Sequence, residues 1–407
     1  MYYPYNIVIK DIVQYYKYLK RGDILFSKFV KGIGAIITIA LLHTSISYAS
    51  ESPVTIANKE KHSSISTKYQ PSGVMLTTDQ GQILYHYQGN QHVDPASMSK
   101  MMTLYLTYEA IDNGRLQLND KVKITNHYAT LSNLPNLSSV SLQQGQVYTI
   151  EALIKQTTLA SSNAAAMILG EKISGNNDAF TNKMNQQAQS FHMTNTNFVN
   201  PAGAQNSLLG QYAPSKFKNQ EYPKSTAKDM NILMQQLISK HPEVLQISKL
   251  TQDTQQGNTF KSTNLSLKGQ PLYLPGTDGL KTGTSNKGYN IALTNKQNHL
   301  RLNETVMNVQ PYGDENAKYN RNRIGNNIIK QYRQKYEYKK VLTEGDHEID
   351  GKKYHVKKDL YDIVPKDNAQ WHIAINKDGK AYVHYHRDFL PGSDYPRVAA
   401  DKKWKWF

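Results

Sequence analysis

The sequence predicts a mixed α/β protein, an antiparallel sheet packed with helices, followed by a small all-β domain. Three observations carry that prediction. Strand-type runs lie before and after a long stretch of helical periodicity. The later runs are joined by short turns, which suits an antiparallel sheet and excludes a doubly wound parallel one. Beyond Lys335 the texture changes to short β-prone runs separated by Asp-Gly turns.

From the N-terminus, residues 32–49 (GIGAIITIALLHTSISYA) are apolar, preceded by Lys28 and Lys31 and closed by Ser47-Tyr48-Ala49. A basic flank, a short apolar core and small-x-small residues at the cut predict a secretory signal peptide over 1–49, with an uncleaved membrane anchor as the alternative. The polar His43, Thr44, Ser45 and Ser47 shorten the run below a comfortable membrane span. The lead of 31 residues is long for such a flank, and a translation start near Leu25 would account for it. Residues 50–70, rich in Ser and Lys, predict a linker.

The main domain is expected over 71–335. VMLTT and ILYHY, joined by Asp79-Gln80-Gly81, predict a hairpin. Met101, Leu104, Tyr105, Tyr108 and Ile111 share a helical stripe over 97–113, closed by Gly114. Helical patterns recur over 150–173, 178–191 and 225–239. GLKTGTS, YNIALTN and LNETVMNV then predict an antiparallel meander, with a helix from about 314 to 335 after it. Runs at 336–342, 346–356, 360–365, 371–376 and 380–387, with turns at Asp350-Gly351 and Asp378-Gly379, predict a β domain over 336–400. Residues 401–407 form a basic aromatic tail, suited either to a lipid headgroup interface or to a frayed end.

Composition narrows the chemistry. The 407 residues include no cysteine, which excludes thiol proteases, iron–sulfur clusters, Cys-ligated zinc and disulfide scaffolds. A covalent nucleophile must therefore be an oxygen or nitrogen group. Lys and Arg number 48 against 32 Asp and Glu; residues 1–49 hold six and two of these, so 42 against 30, or +12, remains without them. For an exported protein that excess points to an anionic membrane or wall-polymer surface and not to nucleic acid.

Ser97 and Lys100, after Asp94-Pro95-Ala96, form an S-x-x-K pair one helical turn apart at the start of an apolar helix. The hydroxyl there lies near free backbone N–H groups, and a lysine neutralised by burial or by a like charge can accept its proton. The pattern recurs at Ser215…Lys218 and Ser225…Lys228, so it decides nothing by itself. Ser161-Ser162-Asn163 follows 64 residues later, between helical segments, although Ser174-Gly175-Asn176 matches S-x-N as well. Lys281-Thr282-Gly283 comes 120 residues after Ser161 on a predicted strand and has no second copy. A strand carrying Lys, a hydroxyl and Gly lets a ligand backbone lie along its edge while the lysine meets a carboxylate. The ordered set, on a helix start, an interhelical loop and a strand, is what distinguishes this chain.

Those motifs, with DPASMSKMMT (94–103), FVNPAGA (198–204) and TDGLKTG (277–283), resemble the serine D-alanyl-D-alanine carboxypeptidases, the low-molecular-mass penicillin-binding proteins. Residues 336–367 are similar to the C-terminal β domain of the staphylococcal type-four branch of that family. Ala202 departs from the N-P-T-G stretch common in the family, which bears on substrate positioning there. The resemblance implies a serine β-lactamase/transpeptidase-like fold. It further implies that Ser97 attacks the carbonyl between two D-alanines, that Lys100 takes its proton and that Ser161 relays one to the leaving amine. Asn163 is expected to bind the substrate amide and hold Lys100. Lys281, Thr282 and Thr284, on the strand with Gly283, are expected to receive the terminal carboxylate, and the N–H groups of Ser97 and Thr284 to form the oxyanion hole.

The expected partners are peptidoglycan stem peptides and β-lactam antibiotics, at the outer face of the cytoplasmic membrane or in the cell wall. Water or an amine can complete the cycle, and the motifs are the same for carboxypeptidase and transpeptidase. A class A β-lactamase would carry E-x-x-L-N after the second motif; no such string lies between Asn163 and Lys281. A non-catalytic penicillin-binding sensor or wall-binding module is the alternative from another class. His384 and His386 alternate on one strand with His347 and His355 nearby, but no HExxH or carboxylate-rich loop accompanies them. No metal site and no cofactor are expected.

Overall fold

The computed structural model describes residues 51–403. The expected signal peptide (1–49), residue 50 of the segment that follows it and Trp404–Phe407 of the tail lie outside them. Among the described residues no helix is long and apolar enough to cross a membrane.

In chain order the framework is α1 (Pro53–Ala57), β1 (Gly73–Thr78), β2 (Gln82–Tyr87), α2 (Lys100–Asp112), α3 (Ile150–Thr158), α4 (Asn163–Ser174) and α5 (Ala227–Lys240). Then come β3 (Thr277–Ser285), β4 (Gly288–Gln297), β5 (Leu300–Val309), α6 (Glu315–Lys335) and β6 (Asp388–Phe389). These strands build one antiparallel sheet in the order β6-β2-β1-β5-β4-β3. Strand alternation divides the core in two. Met75, Ala292 and Met307 face the cluster formed with α2, α4 and α5, whereas Val74, Leu76, Ile291 and Val306 face α1 and α6. Helix α2 is buried over nearly its whole circumference, so its start is held from all sides.

One expectation is corrected. Residues 51–70, expected as a linker, are packed: Val54, Ile56, Ala57, Ile65 and Tyr69 are buried against α6 in the second core cluster. Their apolar residues are spaced among Ser and Lys, and the polar majority hid them. The helical pattern over 150–173 divides at residues 159–162 into two helices, α3 and α4, with Ser161 between the two helical segments as expected. Ser161 sits in that break at φ +57°, and Ser162 caps α4 by accepting from the Ala165 N–H at 3.2 Å.

The C-terminal residues form a pair of strands (336–342 with 360–365) and a five-stranded sheet with its own core around Ile349, Val356, Val383 and Ala400. They are not confined to it. β6 adds an edge strand to the large sheet, the Leu390 N–H donates to Gly81 O at 2.8 Å, and Ile363 belongs to the α6-side core. Strand 398–402, which follows the expected runs, pairs in the middle of the five-stranded sheet.

Candidate active site

Ser97 lies in a 3-10 turn (Ala96–Ser99) that runs directly into α2, whose first residue is Lys100. Ala96 adopts φ +48°, and the Asp94 carboxylate accepts its N–H at 2.8 Å, fixing the turn ahead of the serine. Lys100 is completely buried, with Nζ 2.8 Å from Ser97 Oγ, 2.8 Å from Asn163 Oδ1 and 2.7 Å from Ala202 O. Asn163, the first residue of α4, also donates through Nδ2 to Ser138 O at 2.8 Å. Both ends of its amide are therefore used, and its orientation is set.

Lys281 projects from β3, also buried, and donates to Ser161 Oγ at 2.8 Å and to Thr282 O at 3.0 Å. The break between α3 and α4 thus delivers Ser161 to the lysine of the strand. Gly283 allows that strand to approach the serine turn: a Cβ there would stand 2.5 Å from Pro95 O. Asn290 of β4 strengthens the junction, donating to Asp94 O at 2.9 Å.

The structure therefore gathers Ser97, Lys100 and Asn163 into one hydrogen-bonded group, and Ser161 and Lys281 into a second beside it. Thr282 and Thr284 lie on the same strand, with partners of their own. Thr282 Oγ1 is 2.5 Å from Thr263 Oγ1, and Thr284 Oγ1 accepts from Arg321 Nη1 at 3.2 Å.

Burial governs the electrostatics. Lys100 titrates well below an ordinary lysine, chiefly because burial strips water from its ammonium and secondly because Lys281 is close. Lys281 is pulled down to about 7 by burial, with the Arg321 guanidinium adding repulsion. A neutral amine beside a serine hydroxyl, with a second lysine near, suits covalent acyl transfer.

Two contributors were missed from sequence. Arg321 is buried on α6 and donates to Gly283 O, Thr284 Oγ1 and Asn290 O at 3.2–3.4 Å. Its signal was an arginine on the apolar stripe shared with Ala317, Ile324 and Ile328. The other is the main chain at Ala202. The methyl group is fully buried, and the carbonyl reaches Lys100. Asn200 holds this loop by accepting from the N–H groups of Ala202 and Ala204 at 3.0 and 3.1 Å. Gly203 (φ +65°) lets it close on the serine turn.

Residues 57–311 match the D-alanyl-D-alanine carboxypeptidase family, and residues 338–400 match a domain family of unknown function. D-alanyl-D-alanine carboxypeptidase DacF of Bacillus subtilis is 31% identical over 253 residues, 61% of this chain and 59% of that protein. DacC of Escherichia coli is 26% identical over 285 residues, 69% of this chain and 65% of its own length. The chain thus spans about six tenths of the length of the curated relatives it matches. Among solved structures, a peptidoglycan synthesis regulatory factor (PBP3) from Streptococcus pneumoniae superposes with a TM-score of 0.70 at 27% identity, covering 82% of this chain and 99% of that one. A Listeria monocytogenes penicillin-binding protein in its cefotaxime-bound form gives 0.53 at 26% identity, covering 66% and 99%. Over more than half its length, and with the serine, lysine and strand motifs brought to one place, this chain belongs to the D-alanyl-D-alanine carboxypeptidase family.

Proposed function

We propose that the protein is an exported serine D-alanyl-D-alanine carboxypeptidase with transpeptidase capacity, acting on peptidoglycan stem pentapeptides and acylated by penicillins. The observation that carries this reading is the buried Lys100 Nζ at 2.8 Å from Ser97 Oγ. Lys100 takes the hydroxyl proton as Ser97 Oγ bonds to the carbonyl carbon between the two D-alanines. The N–H groups of Ser97 and Thr284 receive the oxyanion, a donor pair of the kind worth about 3 kcal/mol each. Collapse of the tetrahedral adduct breaks the C–N bond, and D-alanine leaves with a proton relayed through Ser161. Water then cleaves the ester to a carboxylic acid, or an amine from another stem peptide forms a new amide. Lys281, Thr282 and Thr284 hold the terminal carboxylate, and Gly283 leaves room for the substrate backbone along the strand. Asn163 orients the substrate amide.

The relatives' names support the substrate class, and the cefotaxime-bound Listeria structure supports β-lactams as ligands. Slow deacylation, and hence penicillin sensitivity, agrees with the missing E-x-x-L-N string. The apolar segment at 32–49 supports export to the outer membrane face or wall, where the +12 excess suits an anionic surface and not nucleic acid. The test is incubation of the protein with a synthetic stem pentapeptide, with and without an amine acceptor, while D-alanine and cross-linked product are quantified. Release of D-alanine abolished by Ser97→Ala supports the reading. Penicillin uptake without D-alanine release would make the protein a sensor.

A further inference from the structure

A second cluster of titratable groups lies at the far end of α2. Glu109 and Asp112 project from its last turn, where no basic residue answers the negative pole of the helix. His241, which follows α5 as its capping residue, reaches between them. Its ring is fully buried, edge-on to Tyr105 at 5.0 Å and stacked on Tyr108 at 5.6 Å, so it cannot turn away. Nε2 faces Glu109 Oε1 at 3.3 Å; Nδ1 faces Asp112 Oδ2 at 3.3 Å and Glu243 Oε1 at 3.7 Å.

None of these contacts has hydrogen-bond geometry, and both buried ring nitrogens lack a partner. A charge-assisted N–H···O bond would draw in to about 2.7–2.9 Å. Two ligands on one tetrahedral zinc, each roughly 2.0–2.2 Å from the ion, stand about 3.4 Å apart. One donor atom from each of Glu109, Asp112 and His241 falls within 4.8 Å of the others, and among the described residues this is the only such group of three. The Asp112 side chain is 51% exposed and that of Glu109 26%, so both can close on an ion and leave positions open to water.

We propose that His241, Glu109 and Asp112 form a binding site for a zinc-class divalent cation, clamping the end of α2 to the end of α5. An imidazole ligand beside two carboxylates selects a borderline transition metal over magnesium or calcium. With Nε2 on the ion, Nδ1 still faces the Glu243 carboxylate at 3.7 Å, which is not a ligand, the arrangement that orients a metal-bound histidine. Nine residues of helix separate Lys100 from Glu109, about 13 Å along the axis. The ion therefore acts on the scaffold and not on the chemistry at Ser97.

The test uses the full chain, stripped with a chelator and dialysed against zinc. Bound metal is measured by mass spectrometry and thermal unfolding is followed with and without zinc. Glu109→Gln and Asp112→Asn serve as variants, since they keep the buried ring. The expected result is one zinc per chain and a rise in Tm of several degrees. Each variant should lose both while keeping the metal-free Tm and the penicillin acylation rate of the parent. Absence of saturable zinc would overturn the proposal, as would equal zinc on parent and variants, which would place the ion elsewhere, for example at the adjacent His372 and His384 rings (5.0 Å apart). A parent Tm that ignores zinc would also overturn it.

Discussion

Arg321 Nη1 lies 3.2 Å from Thr284 Oγ1, so α6 reaches the strand that carries Lys281. The guanidinium both fixes that strand and lowers the lysine beside it. Arg321 is itself pulled to about 10 by burial and remains charged at neutral pH.

The acylation rate constant should therefore rise and then fall with pH. The rise belongs to Lys100, whose depressed titration supplies the neutral amine. The fall, from about pH 7 upward, belongs to Lys281, because a depressed lysine loses its charge early and with it the pull on a substrate carboxylate. Stopped-flow labelling with a fluorescent penicillin across pH 5–10 checks both limbs. Lys100→Met should cost about 10²–10⁴-fold, the worth of a positioned base.

Arg321→Gln should move the falling limb to higher pH, since a like charge near Lys281 is removed, and Arg321→Lys should leave it in place. A purely structural arginine would lower stability in both variants and move neither limb.

Gly203→Ala should slow acylation about 100-fold, the scale of a small displacement at a reacting centre. The added Cβ would stand 2.1 Å from Ala96 O and 2.6 Å from Ser99 Oγ, in a backbone at φ +65°. The serine turn must move to admit it. Parallel measurement of Tm and acylation separates displacement from unfolding.

Glu304, on the central strand β5, is fully buried with neither carboxylate oxygen hydrogen-bonded, and burial raises its titration well above normal. The folded state thus keeps a proton that the unfolded chain gives up. That stability is present at acid pH and is lost as pH rises from the unfolded value through the folded one. Glu304→Met should raise Tm more at pH 8 than at pH 4, and equal gains at both would contradict the burial account.

Asp362 and Arg387 form a buried ion pair at 2.9 Å where the C-terminal strands meet the large sheet. Arg387→Met should cost about 3–5 kcal/mol by stranding a buried carboxylate, and replacing both partners with apolar residues should recover most of it. Chemical denaturation of the parent and the two variants measures the difference.

Much of this architecture was legible in the chain. The β-prone runs VMLTT and LNETVMNV, bounded by turn residues, marked strands, and the spacing of Met101, Leu104 and Tyr108 marked the helix behind Ser97. The motif at Ser161 marked a loop between two helical segments, but its left-handed backbone at φ +57° was not legible, because such a residue leaves no signature when it is not glycine or asparagine. Arg321 and the Ala202 carbonyl were missed for a different reason. One is a charge accommodated by long-range burial, and the other is a main-chain group whose position depends on Asn200 and Gly203. His241 is remote from Glu109 in sequence, so no local motif joined them.

The decisive step of the proposed reaction is covalent acylation of Ser97, activated by Lys100. Mass spectrometry of the penicillin-treated protein, followed by peptide mapping, tests it most directly. One penicilloyl group per chain is expected on the peptide containing Ser97, and none on Ser97→Ala at unchanged Tm. An adduct retained in Ser97→Ala, or mapped to Ser161 or another residue, would contradict it.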